Sequence, residues 1–116
     1  MPTINRRLTV AAAGGVIDNA LANSQYEFAP FDCTIEIGMI VARSLVTCAV
    51  FSGPDVLAEP GTTCQIFTTE RNPVYPDDYS LEDEAAQGDR LKVSYANANA
   101  AGGPDVTITS LRITPA

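Results

Sequence analysis

Histidine and tryptophan are absent from the 116 residues, and the aromatic set is four tyrosines and four phenylalanines. Without histidine the commonest general base at neutral pH is missing, and with it the Ser-His and Cys-His nucleophile pairs of ordinary hydrolases. No G-x-S-x-G elbow, G-x-x-x-x-G-K phosphate loop or G-x-G-x-x-G turn occurs either. The lack of tryptophan weakens a sugar-stacking platform. Cysteine is limited to Cys33, Cys48 and Cys64, spaced 15 and 16 apart with no C-x-x-C pair. With no imidazole to complete a tetrahedron, a zinc site is not expected.

Positive charge is also scarce: seven Lys and Arg stand against fourteen Asp and Glu, a formal charge of −7. Such a chain repels phosphate backbones and anionic lipid, so neither nucleic acid nor a membrane surface is an expected partner. The longest apolar run, around Met39 to Ala42, falls far short of the roughly 20 residues that cross a bilayer. Met1 to Ala13 loosely mimics a signal peptide, but Thr9 interrupts it and residues 7 to 12 alternate like a strand. The odd cysteine count fits maturation in a reducing cytosol. Cys33 and Cys48 fall where a small buried hydrophobe belongs, although spacing alone leaves a bridge between them open.

What is present is a two-residue period. Leu8, Val10 and Ala12 share one face of a first strand, and Tyr26 and Phe28 mark a short second one. Asp32 to Ala42 is the clearest segment, with Cys33, Ile35, Ile37, Met39 and Val41 on one side. Ser44 to Phe51 is apolar on both sides, which suggests cover on both: the core against one, another subunit against the other. Ser52-Gly53-Pro54-Asp55 and Glu59-Pro60-Gly61 are turn signals around a very short strand, Val56 to Ala58. Thr63 to Thr69, Leu91 to Tyr95 and Asp105 to Thr114 follow. The last switches apolar phase between Ile108 and Leu111, as a bulge near Thr109-Ser110 would require. Ala96 to Gly103 reads as a hairpin loop.

This pattern predicts an all-β chain: a single-domain β-sandwich or jelly roll of about eight short antiparallel strands, residues 8–116, preceded by an N-terminal arm, residues 1–7. One short helix is expected over residues 81–87, with Ser80 as its cap, acids in its first turn and Gly88 at its end.

Half of the chain's acids cluster from Glu70 to Asp89, including Asp77, Asp78, Glu82, Asp83 and Glu84. They could hold Ca²⁺, with Asp77 and Asp78 as first ligands, but the EF-hand spacing is missing and a solvated loop is the plainer expectation. A glycosidase-like carboxylate pair drawn from the same acids needs a substantial cleft, for which a chain this short has little surface.

Tyr75-Pro76-Asp77-Asp78-Tyr79, the run Ala85-Ala86-Gln87-Gly88-Asp89-Arg90-Leu91-Lys92-Val93 and the ending Leu111-Arg112-Ile113-Thr114-Pro115 resemble small virion proteins of tailed bacteriophages. The likeness is one of style across most of the chain. It implies a β-sandwich cement protein, often trimeric, made in the host cytoplasm and seated on the capsid exterior. Its partners would be the major capsid protein and further copies of itself. No functional residue carries over from that family.

The residues themselves agree with such an adhesive role, without enzymatic activity or cofactor. Arg6 and Arg7 of the arm are expected to meet carboxylates of a neighbouring subunit. Val46 and Val50 would contribute to a partner-facing strand, and Tyr75 and Tyr79 to a contact loop. The alternative is a carbohydrate- or host-surface-binding sandwich, calcium-dependent or not, that uses the tyrosines and acids of residues 72–89.

Overall fold

Where alternation is strongest, strands form. In the computed structural model, which describes residues 3–11, 14–42, 45–67, 69–75, 77–98 and 105–115, nine strands are found among the described residues. They are β1 (Thr3–Val10), β2 (Val16–Ile17), β3 (Cys33–Val41), β4 (Val46–Ser52), β5 (Asp55–Thr63), β6 (Gln65–Ile66), β7 (Tyr79–Ala85), β8 (Leu91–Asn97) and β9 (Asp105–Pro115).

β1 pairs with β9, β2 with β8, β3 with β7 and β4 with β5, all antiparallel. These four pairs are successive rungs of one long hairpin whose tip is the β4–β5 turn. Folding that hairpin over on itself adds β9–β3 and β8–β4. The result is one sheet ordered β1-β9-β3-β7 facing another ordered β2-β8-β4-β5, the connectivity of a jelly roll. β6 extends the first sheet by two residues, parallel to the end of β3. The expected β-sandwich is therefore the fold.

Inner faces make the core. Cys33, Ile35, Ile37, Met39 and Val41 of β3 point inward, joined by Leu111 and Ile113 of β9 and by Val46, Cys48, Val50, Leu91, Val93 and Tyr95 of the second sheet. The Tyr95 hydroxyl crosses the core to bond Thr109 Oγ1, linking the two sheets. Burial removes water from the phenol and pushes its pKa up, so the hydroxyl stays protonated.

Several expectations are corrected. Residues 81–87 contain no helix: Tyr79–Ala85 is a strand paired with β3, with Leu81, Asp83 and Ala85 on its inner side and Ser80, Glu82 and Glu84 exposed. The capping signals were local, whereas a ladder to the central strand outweighs the few tenths of a kcal/mol per residue that separate helix propensities. Thr3 to Arg7 are not an arm but the first residues of β1, held by β9 from Thr3↔Arg112 onward. The Tyr26–Phe28 strand reduces to one bridge, Phe28↔Arg90.

Glu59-Pro60-Gly61 does not reverse the chain. β5 continues through it as an edge strand, with register slipping between Val50↔Ala58 and Cys48↔Thr62. The Thr63 to Thr69 strand shrinks to β6, and Thr68 lies outside the described residues, as do residues 99–103 of the expected hairpin loop.

The bulge expected in β9 is absent, since its pairing with β3 and β1 runs unbroken through Thr109 and Ser110. Its phase switch has another cause: Ile108 lies on the outer face opposite Ile40, and both are buried there. Glu70, Pro73, Tyr75 and Asp78, from the connection between β6 and β7, lie over this face. At Gly38, next to Ile40 on that face and opposite Ser110, an added Cβ would come within 3.0 Å of Pro73 Cβ and of the Asp78 carbonyl oxygen, so glycine suits this close approach.

The segment between β2 and β3 is tied to β8 by Asn19. Its Nδ2 donates to Leu91 O (3.2 Å), and its Oδ1 accepts from Leu21 N (3.0 Å) and Val93 N (3.1 Å). Asn19→Ala strands three buried backbone groups and is expected to cost about 2 kcal/mol, a fall in Tm of roughly 5 to 10 °C. Calorimetry checks this, and a Tm unchanged within a degree or so would show that water replaces the amide without loss.

Candidate functional site

Six side chains were expected to meet a partner, and the structure divides them. Val46 and Val50 are fully buried in the core and cannot touch another molecule. The reason is the pleat: β4 is apolar on both sides, and these two residues fall on the inner one. Arg6 faces inward opposite Thr109, half-buried, and donates from Nη2 to Ala22 O (3.4 Å), so it ties the chain to itself.

The other three gather on the outer face of the first sheet. Arg7, opposite Ile108, grips Glu70 with two hydrogen bonds, Nε to Oε2 at 2.8 Å and Nη2 to Oε1 at 3.0 Å. The guanidinium in turn holds the Glu70 carboxyl below its usual range. Tyr75 is 45% exposed and lies over Arg112, whose guanidinium carbon is 3.8 Å from the ring centroid. Tyr79 meets Tyr75 edge to face, with centroids 5.2 Å apart. Register sets Glu82, Glu36 and Arg112 side by side across β7, β3 and β9 beneath them. The Tyr75 hydroxyl bonds to Glu36, which raises its pKa together with burial and outweighs the opposing charge of Arg112.

Asp78, missed as an anchor by sequence reasoning, organises this roof. Its carboxylate accepts from Val74 N (2.7 Å) and Gln65 Nε2 (2.8 Å) and is ion-paired with Arg71. These bonds drive its pKa far below the ordinary carboxylate range, the Arg71 bond most of all. A carboxylate so engaged has no lone pairs to offer the calcium ion suggested for Asp77 and Asp78. The signal available in sequence was Arg71 at seven residues' distance, which no local rule singles out.

The outer face of the second sheet differs. Thr47, Ala49 and Phe51 of β4, Lys92, Ser94 and Ala96 of β8, and the 67% exposed Val16 of β2 border a shallow groove of small and apolar side chains. Lys92 is its one cation, 5.9 Å above the Phe51 ring and 3.2 Å from Asp18.

A cavity of about 520 Å³ opens between β5, β6 and β7 and has Met39, Leu57, Cys64 and Leu81 in its lining, with Glu59 its one carboxylate. The Cys64 thiol donates toward Cys48, and this contact and burial hold it protonated, a poor nucleophile. All three cysteines are free. Among the described residues no three Asp, Glu, Cys or His side chains gather as a metal site, and no helix is long and apolar enough to cross a membrane.

Asp78→Asn preserves shape and removes charge. The folded carboxyl titrates below its unfolded value of about 3.9, so its stabilisation is whole above that pH and is lost as acid protonates it. Wild type is expected to exceed the variant in urea midpoint at about pH 7, with the gap closing below about pH 4. Urea titrations at a series of pH values check this. A gap independent of pH would remove Asp78 as the anchor.

No family model, curated protein or solved structure matches the chain.

Proposed function

We propose that this chain is a structural virion protein, a capsid decoration protein that acts by adhesion: it self-associates and clamps the major capsid protein of a tailed phage. The observation that carries the adhesive part is the outer face of β2, β8 and β4, where Val16, Thr47, Ala49, Phe51 and Ala96 line an open groove on a rigid sheet. Small side chains on a flat sheet allow close approach of a second surface, and an interface of about 800 Å² per partner is within reach of such a face. The virion assignment draws on the resemblance of residues 75–79, 85–93 and 111–115 to small phage virion proteins.

Self-association through the opposite face is disfavoured. Glu36 and Glu82 lie directly across from each other there, and a copy would add like charges. That face, with Tyr75 half exposed, suits a partner bearing arginine or lysine. The carbohydrate-binding alternative would also use Tyr75, but one face of its ring is taken by Arg112, which leaves less of it for a sugar.

Sedimentation velocity on the purified chain is the direct test, with trimers favoured. Ala96→Arg, which adds bulk and charge at an exposed position of the groove, is expected to weaken assembly by at least about tenfold in Kd. A wild type that stays monomeric and does not co-purify with phage particles would defeat the reading.

A further inference from the structure

Two buried side-chain oxygens among the described residues lack a hydrogen-bond partner, Ser52 Oγ and Asp83 Oδ2. They come from opposite sheets, and the fold brings both to one end of the sandwich. Ser52, 1% exposed, ends β4 on its inner side and lies directly across the hairpin from Asp55. Directly opposed residues share a face with Cβ atoms about 5 Å apart, so Ser52 and Asp55 point the same way. Asp83 occupies an inner-face position of β7, opposite the buried Ile35. Its carboxyl and that of Asp55 meet in a hydrogen bond.

A third acid stands behind them. Asp89 accepts from Ala86 N at 3.0 Å and packs so tightly on Gly53 that an added Cβ would come within 2.7 Å of its Cγ. The basic residues closest in sequence are engaged elsewhere, Arg90 with Glu27 and Lys92 with Asp18. Two touching carboxyls, a third negative charge and a buried hydroxyl with nothing to bond form a set of oxygen donors short of positive charge. Buried polar groups are nearly always satisfied, so orphans from two sheets converging on one acid pair call for a ligand.

We propose that Ser52 Oγ, Asp55 and Asp83 bind a hard divalent cation, Ca²⁺, which fastens β5 of one sheet to β7 of the other. Calcium takes six to eight oxygens in irregular geometry, and the exposed position of Asp55 leaves one side open for water to complete the shell. Mg²⁺ demands near-octahedral ligands and dehydrates reluctantly, so it substitutes poorly. With only two protein carboxylates, the site belongs to the weak class, Kd about 10⁻⁴ to 10⁻³ M. The inference is independent of the adhesive reading.

Isothermal titration and thermal melts of the full chain with CaCl₂, MgCl₂ and EGTA test it. Ca²⁺ is expected to raise Tm saturably, EGTA to reverse the rise, and Mg²⁺ to do little. Asp83→Asn is expected to weaken Ca²⁺ binding by at least about tenfold. Asp55→Asn, at an exposed position that leaves the core intact, is expected to do the same and covers the case in which the Asp83 variant fails to fold. Asp77→Asn leaves binding unchanged. No Ca²⁺-dependent shift in wild type, or an equal shift in Asp55→Asn, overturns the proposal. Stability that instead rises on mild acidification, indifferent to Ca²⁺, also overturns it, because a shared proton then neutralises the pair.

Discussion

The pairing of β3 with β9, dry along its whole inner face and also on its outer face from Gly38 and Ser110 to Ile40 and Ile108, is the constraint from which the other parts of the structure follow. Nine register pairs run from Cys33↔Pro115 to Val41↔Thr107. Ile35, Ile37, Leu111 and Ile113 face the second sheet, while Gly38, Ile40, Ile108 and Ser110 face the other way, and Ile40, Ile108 and Ser110 are buried as well. An apolar outer face would leave the sheet sticky, so a segment of the same chain has to roof it. That segment needs a fixed point, and Asp78 supplies one by binding Arg71, Gln65 and Val74 together. Arg7 and Glu70 tie the far side of the roof to β1. Gly38 closes the sequence of requirements, because a side chain there would hold Pro73 away from the sheet.

Polar groups inside the sandwich follow a consistent rule. Tyr95 and Thr109 satisfy each other across the core; Asn19 satisfies three backbone groups; Asn97 bonds Val10 O and Asp105 near the end of β8. Each is a joint between elements distant in sequence, and each fixes how one sheet or loop sits on another. Against this background Ser52 Oγ and Asp83 Oδ2, one from each sheet and both without a hydrogen-bond partner, are an exception.

Much of this was legible in the sequence, and what was not has a common cause. A two-residue period identifies strands and their inner faces wherever one side is wet, which is why Cys33 to Val41 and Leu91 to Tyr95 could be read directly. It fails where both sides are dry. In β9 the outward Ile108 mimicked a bulge, and in β4 the buried side was assigned to a partner, which put Val46 and Val50 on the wrong surface. Local signals failed where long-range pairing decided the outcome. Ser80, the following acids and Gly88 spell a capped helix, yet Leu81, Asp83 and Ala85 also alternate, and β3 was waiting for an antiparallel neighbour. Arg7 and Glu70 are 63 residues apart, and Asp55, the hairpin neighbour of Ser52, reaches Asp83 only after the hairpin folds over, so neither site had a local signature.

The two outer faces end up with different chemistry because the chain crosses between the sheets only at certain strands. The connection from β5 through β6 to β7 carries the long Phe67 to Asp78 segment, and it lies on the β3 side, so that sheet receives the roof together with its charges and tyrosines. The β4–β5 connection is a tight hairpin at Gly53-Pro54, with no chain to spare. Its sheet is therefore left with whatever β2, β8 and β4 present themselves: threonine, serine, alanine, one exposed valine, one phenylalanine and one lysine. A surface left uncovered by its own chain must be tolerable to water or covered by another molecule. The small, mixed lining of this groove is compatible with both, so under the adhesive reading the monomer can stay soluble until a partner arrives. On the roofed face Glu36 stands directly opposite Glu82, which opposes contact with a second copy there, so under the adhesive reading self-contact falls to the groove on the other side.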